Sequence, residues 1–194
     1  MNLSQLTVGV VLCASLVPAF AASDNFNRTD LGTKWVSLIG DRARISNHKF
    51  VAGLAYMKYT PAAADTRAVA TIAATGKDVG HYAGLFVGKA SVKFRTNASD
   101  MIEVVCFEPT IMSDIDVPGT CFTAMAGDFT AFKKARVTMQ TTGTMASIDI
   151  DTNKDGSPEY SFKYDFGAAV GGGVGLMGNN EIFTIDNLST GQAD

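Results

Sequence analysis

The chain has no basic excess. Lys and Arg total 16 against 19 Asp and Glu, a net charge of −3. A mildly acidic protein has no electrostatic reason to hold nucleic acid or an anionic membrane, so neither is expected as a partner. Cysteine is scarce, with Cys13, Cys106 and Cys121 only, and their spacing excludes a Cys-x-x-Cys redox or zinc site. Histidine is scarcer still: His48 and His81 are the whole supply. No Gly-x-Ser-x-Gly elbow marks a nucleophile. No internal repeat and no domain linker is visible, and no segment after residue 22 reads as a long amphipathic helix.

What is present begins with an export signal. Leu6 to Phe20 is predominantly apolar and leads into Ala19-Phe20-Ala21-Ala22, a small-x-small cleavage pattern. About 15 apolar residues are too few for a comfortable membrane span. The leader departs from the usual pattern in having no Lys or Arg before its apolar run. Cys13 follows Leu12 rather than a small residue, so lipidation is not expected. Residues 1–22 are therefore expected to be removed, and 23–194 to form one domain in a secreted, periplasmic or cell-surface protein, with no stable membrane insertion afterwards. In that oxidising setting Cys106 and Cys121 are an even pair, expected to close a disulfide worth on the order of 3 kcal/mol. The alternative is two free buried thiols.

Period-two alternation recurs along the remainder. Val92 and Phe94 face one way within Ser91-Val92-Lys93-Phe94-Arg95, and the charges face the other. Val137 and Met139, Ile148 and Ile150, Tyr160, Phe162 and Tyr164, and Phe183 and Ile185 repeat the pattern. Strands with one buried and one wet face predict an all-β antiparallel sandwich. Tyr82 to Val87 and Ile102 to Phe107 read as strands buried on both sides. Turn residues separate the segments, notably Thr141-Thr142-Gly143 and Asn153-Lys154-Asp155-Gly156.

Asp24-Asn25-Phe26-Asn27-Arg28 with Trp35, then Ala83-Gly84-Leu85-Phe86, then Gly173-Val174-Gly175-Leu176 and Phe183 to Leu188, follow one another in an order that resembles the concanavalin A-like lectin/glucanase (LamG-like) jelly rolls of bacterial secreted proteins. Asp24-Asn25-Phe26-Asn27-Arg28, Leu31-Gly32 and Trp35 resemble the first strand. Ala83-Gly84-Leu85-Phe86 is similar to the buried strand. Gly173-Val174-Gly175-Leu176 followed by Phe183-Thr184-Ile185-Asp186-Asn187-Leu188 resembles the end. The resemblance implies a two-sheet jelly roll whose first and last strands lie side by side, bringing the Asp24 and Asp186 regions together. It also implies polysaccharide binding or cleavage on the concave sheet, and several relatives hold a structural Ca²⁺ near the position of Asp186. Fold alone does not fix function.

Catalytic sets of that superfamily are missing. The Glu-x-Asp-x-x-Glu run that aligns carboxylates on one strand face is absent, and Glu103 and Glu108, five apart, would point to opposite faces. No His follows a Gln in the Gln-x-His pattern of the alginate-lyase-like members. His81 and Tyr82 are adjacent and so would face opposite ways. The expected function is a lectin-like polysaccharide-binding domain. A structural or adhesive surface protein, and a polysaccharide hydrolase or lyase, are the alternatives.

Candidate ligand-binding residues are Tyr56, Lys58, Tyr59, Tyr82 and His48 with Asn47. Tyr56 and Lys58 share a strand face, and aromatic rings beside polar groups suit sugar stacking. For each aromatic the competing reading is core packing. Candidate metal ligands are Asp151, Asn153 and Asp155, which sit at positions 1, 3 and 5 of an EF-hand-like run with Gly156 at 6. Phe162 stands where the bidentate Glu would be, so this is no EF-hand. The favoured reading is a hairpin turn capped by its own side chains, and a weak extracellular Ca²⁺ site is the alternative. Asp186 is a second metal candidate by resemblance alone.

Overall fold

A computed structural model describes residues 22–76, 81–96, 99, 101–109, 132–179 and 181–193. The export segment, residues 1–21, lies outside them, as does Cys121 and hence the expected disulfide.

The described residues form β1 (Ser23–Asp24), β2 (Trp35–Gly40), β3 (Ala43–Ser46), β4 (Lys49–Ala52), β5 (Ala55–Tyr59), β6 (Arg67–Ala74) and β7 (Tyr82–Val87). They continue with β8 (Ala90–Thr96), β9 (Ile102–Pro109), β10 (Lys134–Thr142), β11 (Met145–Asp151), β12 (Tyr160–Asp165), β13 (Val174–Gly178) and β14 (Phe183–Gly191). One sheet runs β12-β11-β10-β6-β14-β4-β3, with β1 also on β14; the other runs β2-β5-β13-β7-β8-β9. All pairings are antiparallel. The expected sandwich is thus observed. β1 pairs with β14 through Ser23 and Ser189, and Asp24 and Leu188, so the two ends of the domain do meet.

The alternation in sequence is what sorts side chains between core and exterior. Along β10, Ala135, Val137, Met139 and Thr141 are buried while Lys134, Arg136 and Thr142 are exposed. β11 buries Ala146, Ile148 and Ile150. Opposite them the six-stranded sheet contributes Met57, Leu85, Val92, Phe94 and Leu176. Each such side chain removed from water contributes about 1.5–3 kcal/mol. At one end Trp35 packs on Phe26, Phe50 and Tyr59, with ring centroids 4.9–5.9 Å apart.

The six-stranded sheet is also buried on part of its other face. Phe86, Ser91 and Met177 are fully inaccessible, although they point away from the core between the sheets. Two glycines leave room for the two large side chains. A Cβ on Gly175 would lie 2.0 Å from Phe86 Cζ, and one on Gly84 would lie 2.6 Å from Met177 Cε. Both large side chains therefore lie flat across neighbouring strands, in space no other residue would leave open.

Candidate functional site

The outward face of the six-stranded sheet is set by register. Lys58, Gly175, Phe86 and Ser91 form one cross-strand row, Tyr56, Met177, Gly84 and Lys93 the next, and Tyr82 and Arg95 a third. Tyr56 is 4% exposed, and its hydroxyl lies 3.3 Å from that of Tyr82. Tyr82 is half-buried, and Lys93 Nζ sits 4.6 Å above its ring, a cation–π contact. Its backbone is pinned by Asn179: the Tyr82 N–H donates to Asn179 Oδ1 at 2.7 Å, and the Asn179 N–H donates to the Tyr82 carbonyl at 3.1 Å. Lys58 is half-exposed and Arg95 exposed. A phenol edge, two ammonium groups and a guanidinium thus share one rigid face. The partly exposed Tyr82 edge and Lys58 are the groups placed to meet a sugar, while Lys93 and Arg95 border them and make further contacts of their own.

Three of the five expected ligand residues, Tyr56, Lys58 and Tyr82, come together here. Tyr59 does not. It is 1% exposed on the inner face, its ring packs on Trp35, and its hydroxyl donates to the Ser23 carbonyl at 2.7 Å. It is a core residue because three positions separate it from Tyr56, and an odd offset reverses the face of a strand. His48 does not join either. With Asn47 it forms the turn between β3 and β4 in the other sheet, both residues exposed and left-handed at φ 58° and 49°. His81, just before β7, has a buried Nδ1 without a hydrogen-bond partner among the described residues.

The acidic loop after β11 caps itself. Asp151 Oδ1 accepts from the Lys154 N–H, and Oδ2 accepts from the Gly156 N–H at 3.0 Å. Asn153 accepts from the Asp155 N–H and Asp155 from the Ser157 N–H, each at 2.8 Å. Glu159 Oε2 accepts from the Thr152 N–H at 2.6 Å and hydroxyl at 3.0 Å. Sequence reasoning missed Glu159: one oxygen each of Asp151, Asp155 and Glu159 lie within 4.8 Å of one another. Asp186 stands apart. In the eight-stranded sheet Asp151 pairs with Arg136, Arg136 with Thr71, and Thr71 with Asp186, so three strand spacings, about 14 Å, separate the two acids. Asp186 Oδ1 accepts from the Asn187 N–H at 2.8 Å.

That outward face of the eight-stranded sheet carries a cleft of about 250 Å³. Arg67, Arg136, Thr138 and Gln140 rise from β6 and β10, and Gly156 and Pro158 of the acidic loop form a wall. Asp149 and Asp151 also border it, two residues apart on β11. Their spacing resembles a carboxylate pair, yet Asp149 accepts from the Ser161 hydroxyl at 2.6 Å and Asp151 is tied to two amides. Asp151 is a fixed acceptor inside the fold, and Asp149 is a partly exposed acceptor held through one oxygen. The sequence signal for this face was the alternation Arg136-x-Thr138-x-Gln140.

No protein-family model matches the chain, and no curated protein matches it by sequence. Solved structures do. A xylan beta-1,4-xylosidase from Bacillus halodurans C-125 superposes with a TM-score of 0.61 at 10% identity, over 87% of this chain and 38% of that one. A laminarinase from Flavobacterium sp. UMI-01 gives 0.52 at 11%, over 90% and 100%. The CBM2 module of Lactobacillus casei BL23 phage J-1 evolved Dit gives 0.54 at 8%, over 89% and 96%. The chain spans little more than a third of the xylosidase and of the Bacteroides ovatus GH43B protein it also resembles. At these identities the likeness is one of fold: the chain has the two-sheet antiparallel jelly-roll sandwich of these proteins.

Proposed function

We propose that this domain is exported and binds a polysaccharide without cleaving it, on the outward face of its six-stranded sheet. The observation that carries the reading is the Tyr56–Tyr82–Lys93 group with Lys58 beside it: a half-exposed ring held from below by a hydroxyl and from its backbone by Asn179. Preorganised aromatic and polar groups bind with little ordering cost. Solved structures of the same fold include a laminarinase, a xylosidase and a CBM2 module, which supports a glycan as ligand. The sequence lacks the Glu-x-Asp-x-x-Glu run, which supports binding over hydrolysis. The test is retention of the purified domain on immobilised plant, algal and bacterial polysaccharides, with reducing ends and unsaturated products assayed in parallel. Retention without product supports the proposal. Product release, or no retention on any glycan, overturns it.

One observation favours a second reading, a surface protein that contacts other proteins. β2 is an edge strand whose Val36, Leu38 and Ile39 are 46%, 40% and 37% exposed, with Leu54 at 51% nearby. An uncharged apolar edge is a template for strand addition. Self-association in sedimentation velocity, abolished by Leu38→Lys, would support that reading.

A further inference from the structure

The cleft on the opposite sheet has a surplus of donors. Its two carboxylates already accept internal hydrogen bonds, Asp149 from Ser161 and Asp151 from the Lys154 and Gly156 amides. Its two guanidiniums are not matched in the same way. Neither Arg67 nor Arg136 has an ion-pair or hydrogen-bond partner among the described residues, where the side-chain ion pairs are Arg28–Asp24 and Arg44–Glu181. Each guanidinium offers five N–H donors and no acceptor. Arg67 lies opposite Gln140, and Arg136 is four residues from Gln140 on the same strand, so their backbones are about 13 Å apart along the sheet. Both side chains line one cleft, with the Thr138 hydroxyl and the Gln140 amide between them.

We propose that this cleft is a second, independent glycan subsite that takes an acidic sugar, one bearing a carboxylate or a sulfate ester. An anionic oxygen cluster is what the unmatched donors require, and planar guanidiniums bind carboxylate and sulfate in a fork. The volume of about 250 Å³ fits one residue of a chain, and the cleft opens to solvent for the neighbouring residues. The wall at Gly156 and Pro158 is held by the amide bonds to Asp151, so the acidic loop shapes the cleft. The overall charge of −3 opposes acidic polymers at long range, and Asp149 and Asp151 in the same cleft offset the guanidinium charge, so selectivity rests on the fork geometry of Arg67 and Arg136 at contact distance.

The inference rests on the glycan-binding reading and adds the charge class and the second face. The test titrates the full mature domain with polygalacturonate, a sulfated galactan and neutral laminarin. It uses wild type, Arg67→Gln/Arg136→Gln, the charge-retaining Arg67→Lys/Arg136→Lys, and Tyr82→Ala. Circular dichroism confirms folding of each. The expected result is binding of at least one acidic polymer that weakens tenfold or more in the Gln double variant, weakens less in the Lys variant, and falls with added salt. Which polymer binds tells carboxylate from sulfate. Equal binding of the acidic polymer by wild type and the Gln variant, or no acidic binding by wild type, overturns the inference. If laminarin still binds in a Tyr82-dependent way, the proposed function stands without it. If no glycan binds at all, both fall.

Discussion

The indole Nε1 of Trp35 donates a hydrogen bond of 2.8 Å to Oδ2 of Asp24, eleven residues earlier in the chain. Arg28 grips the same carboxylate with both terminal nitrogens at 2.5 Å, and the Phe26 N–H adds a bond of 2.8 Å. This carboxylate ties the first strand to the aromatic end of the core, where β1 pairs with β14. Burial pushes its pKa up, but the bonds from Arg28, Trp35 and Phe26 outweigh burial and hold it below the usual value of 3.8.

The sign of that shift gives a pH prediction. A lowered folded pKa contributes stability above the unfolded value and loses it as pH falls through the folded one. Asp24→Asn removes the carboxylate partner of the partly exposed Arg28 and weakens the bond from Trp35, and is expected to cost about 1–3 kcal/mol near neutral pH. Its stability should then fall less steeply than that of wild type below pH 4. Urea unfolding at several pH values measures both.

Gly175→Ala is expected to destabilise by about 1–3 kcal/mol. The new methyl would meet Phe86 Cζ at 2.0 Å and the Met57 carbonyl oxygen at 2.3 Å, and the second is backbone that cannot step aside. For a domain of this size each kcal/mol is a fall in Tm of about 2–4 °C, read by thermal unfolding. The same variant should weaken glycan retention, since Lys58 pairs with Gly175.

The acidic loop satisfies its own carboxylates, which predicts a structure independent of divalent cations. Excess EDTA should leave Tm unchanged within about 1 °C. A rise of several degrees in millimolar Ca²⁺ would show instead that Asp151, Asp155 and Glu159 close on the ion.

His48 holds φ 58° in a two-residue turn that favours glycine. His48→Gly should therefore stabilise the domain by up to about 1 kcal/mol and leave polysaccharide retention unchanged, because the turn lies in the sheet opposite Tyr82. Lost retention would return His48 to the binding site.

Much of the scaffold could be read in advance. Val137-x-Met139, Ile148-x-Ile150 and Phe183-x-Ile185 declare their inner face by alternation, and all six side chains are buried. Trp35 belongs to the core as its size and chemistry suggest. For Tyr59 core packing is the competing reading, and its parity with Tyr56 decides for it. The site was less legible because register, not local pattern, assembles it. Tyr56 reaches Tyr82 across β13, and Arg67 meets Gln140 only through the pairing of β6 with β10. His48 and Tyr56 lie close in the chain but on different sheets, because the chain changes sheets between β4 and β5. Glu159 stands at position 9 of the EF-hand-like run, a position that often coordinates only through water, and the turn into β12 brings its carboxylate back to Asp151 and Asp155.

The most direct measurement of the central claim is amide and side-chain chemical-shift mapping of the mature domain during titration with a neutral polysaccharide fragment that it retains. The account predicts that the largest shifts fall on Tyr56, Lys58, Tyr82 and Lys93, and that Tyr82→Ala abolishes them. Shifts confined to the eight-stranded sheet or to the β2 edge, or none at saturating ligand, would contradict it.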